Sequence, residues 1–429
     1  MKKVEEKVIH EKGLNLHLIK SKKYKTINIV AKIKAPLTRE TITHRALLPY
    51  ILKQGTKSYP SRKEFQLKLD ELYGAVLSVD GSKKGENHLI TIRLEVANEK
   101  FIPKETSIID EAIELFSEIL FQPNSTGEAF EKSIVEREKD TLRQKISSIK
   151  DDKMSFANMR LIDEMCEGEA YQLHVHGYEE DLDELSAADL YAYYKTMLTE
   201  DQLDIYVLGD FDEHELKDKL TRSMKRDSAI VNNERNNMEH KHIEKENEVI
   251  EKQEIQQAKL HIGYRTHTTF SDEDYFALQV FNGIFGGFPS SKLFVNVREK
   301  NSLAYYASSR IESQKGLLLV FSGIAPDDFE KARDIIRLQL TAMKDGDFSD
   351  TDVNETKELI VNQLLETMDH PQGLIELLYQ QVLGNKEITP EQLIENIKKV
   401  RKDDVVKVAG KIEEDTLYLL TSEGGSSNE

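Results

Sequence analysis

His44-Arg45-Ala46-Leu47-Leu48-Pro49-Tyr50-Ile51-Leu52-Lys53-Gln54-Gly55-Thr56 is the stretch whose reading decides the fold. Its apolar run, Leu47 to Leu52, reads as a buried helix that stops before Gly55. The stretch holds one histidine. The residues three and four beyond His44 are Leu47 and Leu48, so no second imidazole shares its helix face.

On the N-terminal side, Asn15 to Ile19 and Ile27 to Lys34 carry β-branched and apolar residues in near alternation and read as a hairpin. On the C-terminal side, Glu64 to Leu72 reads as a helix, and Ala75 to Val79 and His88 to Glu95 as strands. An amphipathic helix follows at Ile108 to Leu120, a long charged helix at Phe130 to Ile149 and another helix at Leu182 to Met197, opening near Ser186, then a strand from Leu203 to Leu208. The polar stretch 222–250 has little to bury and reads as a linker. Beyond it the pattern begins again. Lys259 to Arg265, Ala304 to Ile311 and Leu317 to Gly323 read as strands, and Phe329 to Met343, Val353 to Met368, Gly373 to Leu383 and Pro390 to Gly410 as helices. Leu72-Tyr73-Gly74-Ala75-Val76-Leu77-Ser78 matches Leu303-Ala304-Tyr305-Tyr306-Ala307-Ser308-Ser309, and a glycine follows each leucine by thirteen residues, Gly85 (85−72) and Gly316 (316−303). This is an internal repeat. It implies an α+β protein of two homologous domains, each a mainly antiparallel sheet covered by helices, spanning 1–221 and 251–429.

A chain of 429 residues is too long for one core. Charged residues make up 32% of it, and no apolar run approaches the ~20 residues of a membrane span. No secretory signal is evident after Met1-Lys2-Lys3, and a single cysteine, Cys166, rules out an internal disulfide and fits a reducing cytoplasm. The net charge of −18 disfavours nucleic acid and anionic lipid as partners.

Other motifs carry little chemistry. His174-x-His176 could present two imidazoles on one side of a strand, but no third ligand is near, and His240-x-His242 sits in the linker. Gly283-Ile284-Phe285-Gly286-Gly287 follows a helix rather than a strand, so it is not a phosphate loop. Cys166 has no recognisable partner motif.

Four segments resemble the pitrilysin and processing-peptidase family of zinc proteases. The run ending in Gly55-Thr56 is similar to the helix that carries the inverted motif His-x-x-Glu-His, and the resemblance lays that motif on Ala46, Pro49 and Tyr50. Alanine has no donor atom and proline has no carboxylate. A phenol with a pKa of about 10 is a poor zinc ligand at neutral pH. Ile134 to Asp140 resembles the helix that supplies the third ligand, with Glu136 at that position, 86 residues after Tyr50 (136−50). Leu182 to Leu190 followed by Gly209-Asp210 resembles the close of a family domain, with Ser186 as helix cap. Val297-Arg298-Glu299-Lys300-Asn301-Ser302-Leu303-Ala304-Tyr305 resembles the segment whose arginine and tyrosine, seven apart (305−298), hold the peptide backbone and the developing oxyanion.

The resemblance implies a zinc-less companion subunit. It would bind no metal itself, contribute Arg298 and Tyr305 to substrate, and pair with a homologous chain that carries the zinc. It resembles in particular zinc-less bacterial companion proteins linked to modification of translation elongation factor P. The glycine run becomes a hinge or close-packing turn on the same analogy. The rival reading is a catalytically dead scaffold of the same fold. An independent peptidase with another metal site is a third, for which no ligand cluster is visible in the sequence.

Overall fold

The computed structural model describes residues 4–102, 107–226, 243 and 245–422; His240 and His242 lie outside them. The chain divides into two compact units, one of Met1–Ser148 with Leu173–Arg235 and one of Ile149–Gln172 with Asn236–Glu429.

The first unit is built on β1 (Glu6–Glu11), β2 (Leu14–Lys20), β3 (Thr26–Pro36), β4 (Val76–Lys84), β5 (Asn87–Ala97) and β6 (Gln202–Gly209), in the spatial order β1-β2-β6-β3-β5-β4. The expected hairpin between Asn15–Ile19 and Ile27–Lys34 does not form. β6 lies between β2 and β3, parallel to the first and antiparallel to the second, and β2 turns back on β1 instead. Alternation marks each strand but not its neighbour, and two buried strands need partners on both edges. Helices α1 (Ile42–Leu52), α2 (Arg62–Glu71), α3 (Ile108–Phe121), α4 (Lys132–Asp151) and, later in the chain, Ala187–Glu200 add to the core. They pack Leu47, Leu48, Phe65, Phe116, Val135 and Leu190 with Leu16, Ile29, Ile92 and Ile205 of the sheet.

The second unit repeats this plan with β7 (Asn247–Gln253), β8 (Ala258–Arg265), β9 (Ala304–Glu312), β10 (Leu317–Ile324) and β11 (Glu413–Ser422), in the order β9-β10-β8-β11-β7. The correspondence extends to direction. β2 and β6 are parallel, as are β7 and β11, and every other pairing in both sheets is antiparallel. Both hairpins predicted to be equivalent, β4–β5 and β9–β10, turn through a left-handed glycine, Gly85 at φ 52° and Gly316 at φ 72°.

Two boundaries differ from those read in the sequence. β7 begins at Asn247, so the segment read as a linker to residue 250 ends in an edge strand. Residues 149–172, read as part of the first domain, belong to the second unit. The reason is packing: helix α5 (Lys153–Met165) buries Ala157, Leu161 and Met165 against Leu317, Leu319 and Tyr418, and Met165 lies over Gly263, where any side chain would collide with it. Arg265 secures the segment, donating to Glu169, to the Met165 carbonyl at 2.7 Å and to Asp415 at 2.7 Å. Lys315 reaches Glu169 at 2.7 Å.

Candidate functional site

Helix α1 carries Ala46, Pro49 and Tyr50, on which the resemblance lays the zinc motif. Ala46 and Pro49 are buried and Tyr50 is half-buried. Pro49 lies inside the helix and has no N–H to return to the Arg45 carbonyl. Burial pushes the Tyr50 phenol above its ordinary pKa, and the charges of Asp80 and Glu138 push it the same way. It is therefore held neutral, the form least able to bind a metal. Lys53 places its ammonium 4.5 Å from the Tyr50 ring centre.

The neighbouring Arg45 is wholly buried and spends all its donors inside the protein. It donates to Asp201, to Tyr193 Oη and His88 Nδ1 at 3.2 Å each, and to the carbonyls of Ile33 and His88 at 3.1 and 3.3 Å. Burial by itself would lower its pKa, but Asp201 and Tyr193 outweigh that and keep it charged. His88, also buried, is pulled down to about 3 by burial and by the Arg45 charge. His44 is lowered as well, chiefly by burial. These imidazoles are neutral packing groups.

Glu136, the expected third-ligand position, is half-exposed and pairs with Lys139 at 3.3 Å. The buried face of α4 is Val135, Glu138, Lys139 and Leu142. Glu138, not Glu136, is the carboxylate of this helix whose charge reaches Tyr50. The signal was present in the sequence, because Val135 and Leu142 bracket Glu138 at helical spacing. His174 and His176 sit in a turn rather than a strand: His174 stacks on Tyr178 at 5.0 Å, and burial lowers the pKa of His176. Cys166 is buried at the end of α5. Among the described residues, no group of three or more His, Cys, Asp or Glu is arranged to hold a metal ion.

The second candidate region lies in the second unit. After helix α6 (Tyr275–Asn282) the backbone widens into a π-helical turn over Gly283–Gly287, and a second π-helical turn runs over Phe294–Glu299. Such turns recur at functional sites. The glycine run is a close-packing turn. A Cβ on Gly286 would strike Ser309 Oγ and stand 2.8 Å from Leu293, and one on Gly283 would stand 2.9 Å from the Phe288 ring. Arg298 is exposed near the end of the second π turn. Ser302, left-handed at φ 53°, then closes the turn, its N–H donating to the Arg298 carbonyl at 3.0 Å while that of Leu303 donates to Val297 at 3.1 Å.

β9 begins at once and carries a bulge. Ala304 pairs with Ile324 and Tyr306 with Gly323, which leaves Tyr305 as the extra residue. The bulge sends the two tyrosines apart. Tyr306 lies across Gly323, where a Cβ would stand 2.9 Å from its Cζ, and burial raises its pKa to about 12. Tyr305 is 72% exposed on the edge strand. Among the described residues neither the Arg298 guanidinium nor the Tyr305 hydroxyl has a hydrogen-bond or ion-pair partner. The region thus presents two exposed donor groups, with the exposed Glu299 carboxylate next to Arg298 in the chain.

This chain is 47% identical, over 97% of both sequences, to the Bacillus subtilis protein named "Probable inactive metalloprotease YmfF". The chain belongs to the peptidase M16 family. Residues 184–360 match the family model described as "Peptidase M16 inactive domain". A solved structure, a conserved protein from Enterococcus faecalis V583, superposes with a TM-score of 0.88 at 33% identity, over 99% of this chain and 100% of that one. The chain is also 23% identical to the "Uncharacterized zinc protease YmxG" of Bacillus subtilis, over 69% of this chain and 72% of that protein. The chain keeps the two-sheet architecture of the family, while Ala46, Pro49 and Tyr50 stand where the resemblance places two ligands and a base. No described helix is long and apolar enough to cross a membrane.

Proposed function

We propose that this chain is the zinc-less subunit of an M16 pair, in which Arg298 and Tyr305 offer hydrogen-bond donors to the backbone of an extended peptide held by a homologous zinc-bearing chain. One observation carries the reading: both donor groups are exposed and have no hydrogen-bond or ion-pair partner among the described residues, on a stretch shaped by a π turn and a bulge. A guanidinium and a phenol are suited to a peptide carbonyl or a developing oxyanion. Among the described residues no strand lies beside the outer edge of β9, and such edges accept extended chains. The similarity to a chain named a zinc protease supports a metal-bearing partner of the same fold. A cytoplasmic setting is part of this reading, on the single cysteine. A role in elongation factor P modification rests on the resemblance alone.

The test is recovery of the tagged chain from native cells. The expected result is a co-purifying chain of similar size with an intact His-x-x-Glu-His motif, and peptide cleavage by the reconstituted pair. In that pair Arg298→Ala and Tyr305→Phe should each lower turnover by roughly 100- to 1000-fold where the donor acts on the transition state. A strict monomer that recovers no such chain would favour a scaffold role.

A further inference from the structure

We infer that Phe294 is a positioning residue for Arg298, and that the Phe294–Glu299 π turn is a mount that presents the guanidinium with its donors unspent. This rests on the reading of Arg298 as a peptide-contacting group.

The geometry is local. The guanidinium carbon of Arg298 lies 4.7 Å from the centre of the Phe294 ring, four residues earlier on the same turn. An aromatic face holds an arginine while leaving all five N–H groups free, which a carboxylate partner would not. The turn beneath is braced by Asn296. Its side-chain amide donates to the Lys292 carbonyl and to Gln339 Oε1, both at 2.9 Å. Its amide oxygen accepts from Lys300 Nζ at 3.2 Å, and its backbone carbonyl from the Asn301 side chain at 2.6 Å. Gln339 is buried on α7 (Phe329–Lys344), so the turn is tied to a core helix. Val297, between Phe294 and Arg298, is fully buried.

The physical benefit is preorganisation. A free arginine side chain carries rotamer entropy that a ligand must otherwise remove. An exposed cation–π contact, worth ~0.5–1 kcal/mol, offsets part of that loss in advance, which is about two- to fivefold in affinity.

The experiment uses the full chain with 15N-labelled arginine, as wild type, Phe294→Leu and Phe294→Tyr. The expected result is that the order parameter of Arg298 Nε falls toward the flexible range, below about 0.6, in the leucine variant and is restored in the tyrosine variant. Melting temperature should stay constant throughout, since Phe294 is only partly buried. Equal order in wild type and Phe294→Leu overturns the inference. A second measurement separates it from the reading above. Binding of a fluorescein-labelled, carboxymethylated unfolded protein to the reconstituted pair should weaken about two- to fivefold in Phe294→Leu and recover in Phe294→Tyr. If Arg298→Ala binds that probe as wild type does while Phe294→Leu still frees the guanidinium, the peptide-contact reading fails and the mount stands.

Discussion

Arg45 and Asp201 form an ion pair inside the first unit, with no part of the Arg45 side chain open to water. It joins α1 to the turn that leads into β6, and Arg45 stands one residue before Ala46, on which the resemblance lays the first zinc ligand. Removing the acid alone would leave the guanidinium buried without its counter-charge. Asp201→Ala should therefore cost about 3–5 kcal/mol. Urea denaturation would measure it, and a loss under about 1 kcal/mol would mean that the neutral acceptors suffice.

The purified chain should hold no stoichiometric zinc by metal analysis. Rebuilding the motif as Ala46→His, Pro49→Glu and Tyr50→His should create a zinc site. Because Glu138 lies on the buried face of α4, paired with Arg137 at 2.8 Å and with its charge reaching Tyr50, while Glu136 lies on the exposed face, a further Glu138→Gln should abolish that binding and Glu136→Gln should not. The opposite outcome would return the third-ligand position to Glu136.

Gly286→Ala should destabilise the second unit by about 1–3 kcal/mol, the usual range for overpacking. Its Cβ would meet Ser309 Oγ, which already donates to Asn282 at 2.7 Å, and Leu293. An unchanged melting temperature would show that the π turn can shift away from β9.

His17 predicts a pH dependence. Its ring stacks on Tyr206 at 4.1 Å, with Nδ1 2.7 Å from Glu6 and Nε2 3.3 Å from Asp204. Burial alone lowers its pKa, but the hydrogen bonds and charges of Asp204 and Glu6 outweigh it, and the pKa is raised. Of the other groups packed here, Asn15 and Gln202 are neutral and donate to Asp204, and Lys34 adds a positive charge nearby. The stabilisation is fully present below the unfolded value of about 6.5 and is lost as pH rises through the raised folded pKa. The stability difference between wild type and His17→Gln should shrink as pH is taken from about 6 to about 9. A difference flat across that range would contradict the assignment.

Much of the fold was legible because periodicity is local. The strand at Leu203 to Leu208, the repeat of two sheets and the paired hairpins at Gly85 and Gly316 all lie where alternation and turn chemistry place them. The hairpin assigned to β2 and β3 was wrong because strand order is a long-range property. Likeness of segment points to Glu136, while the buried helical face through Val135 and Leu142 carries Glu138, two residues and about half a turn away.

The sequence by itself determined that Ala46, Pro49 and Tyr50 cannot assemble the family's zinc chemistry, since that follows from which atoms those side chains own. It also determined the repeat, because each half carries its own hydrophobic pattern. Only the tertiary structure decided that residues 149–172 join the second unit, and that a bulge turns Tyr305 outward while Tyr306 packs on Gly323. These depend on register, on helix rotation and on what lies across each contact. Such quantities are set by packing between segments distant in the chain, and no local pattern records them.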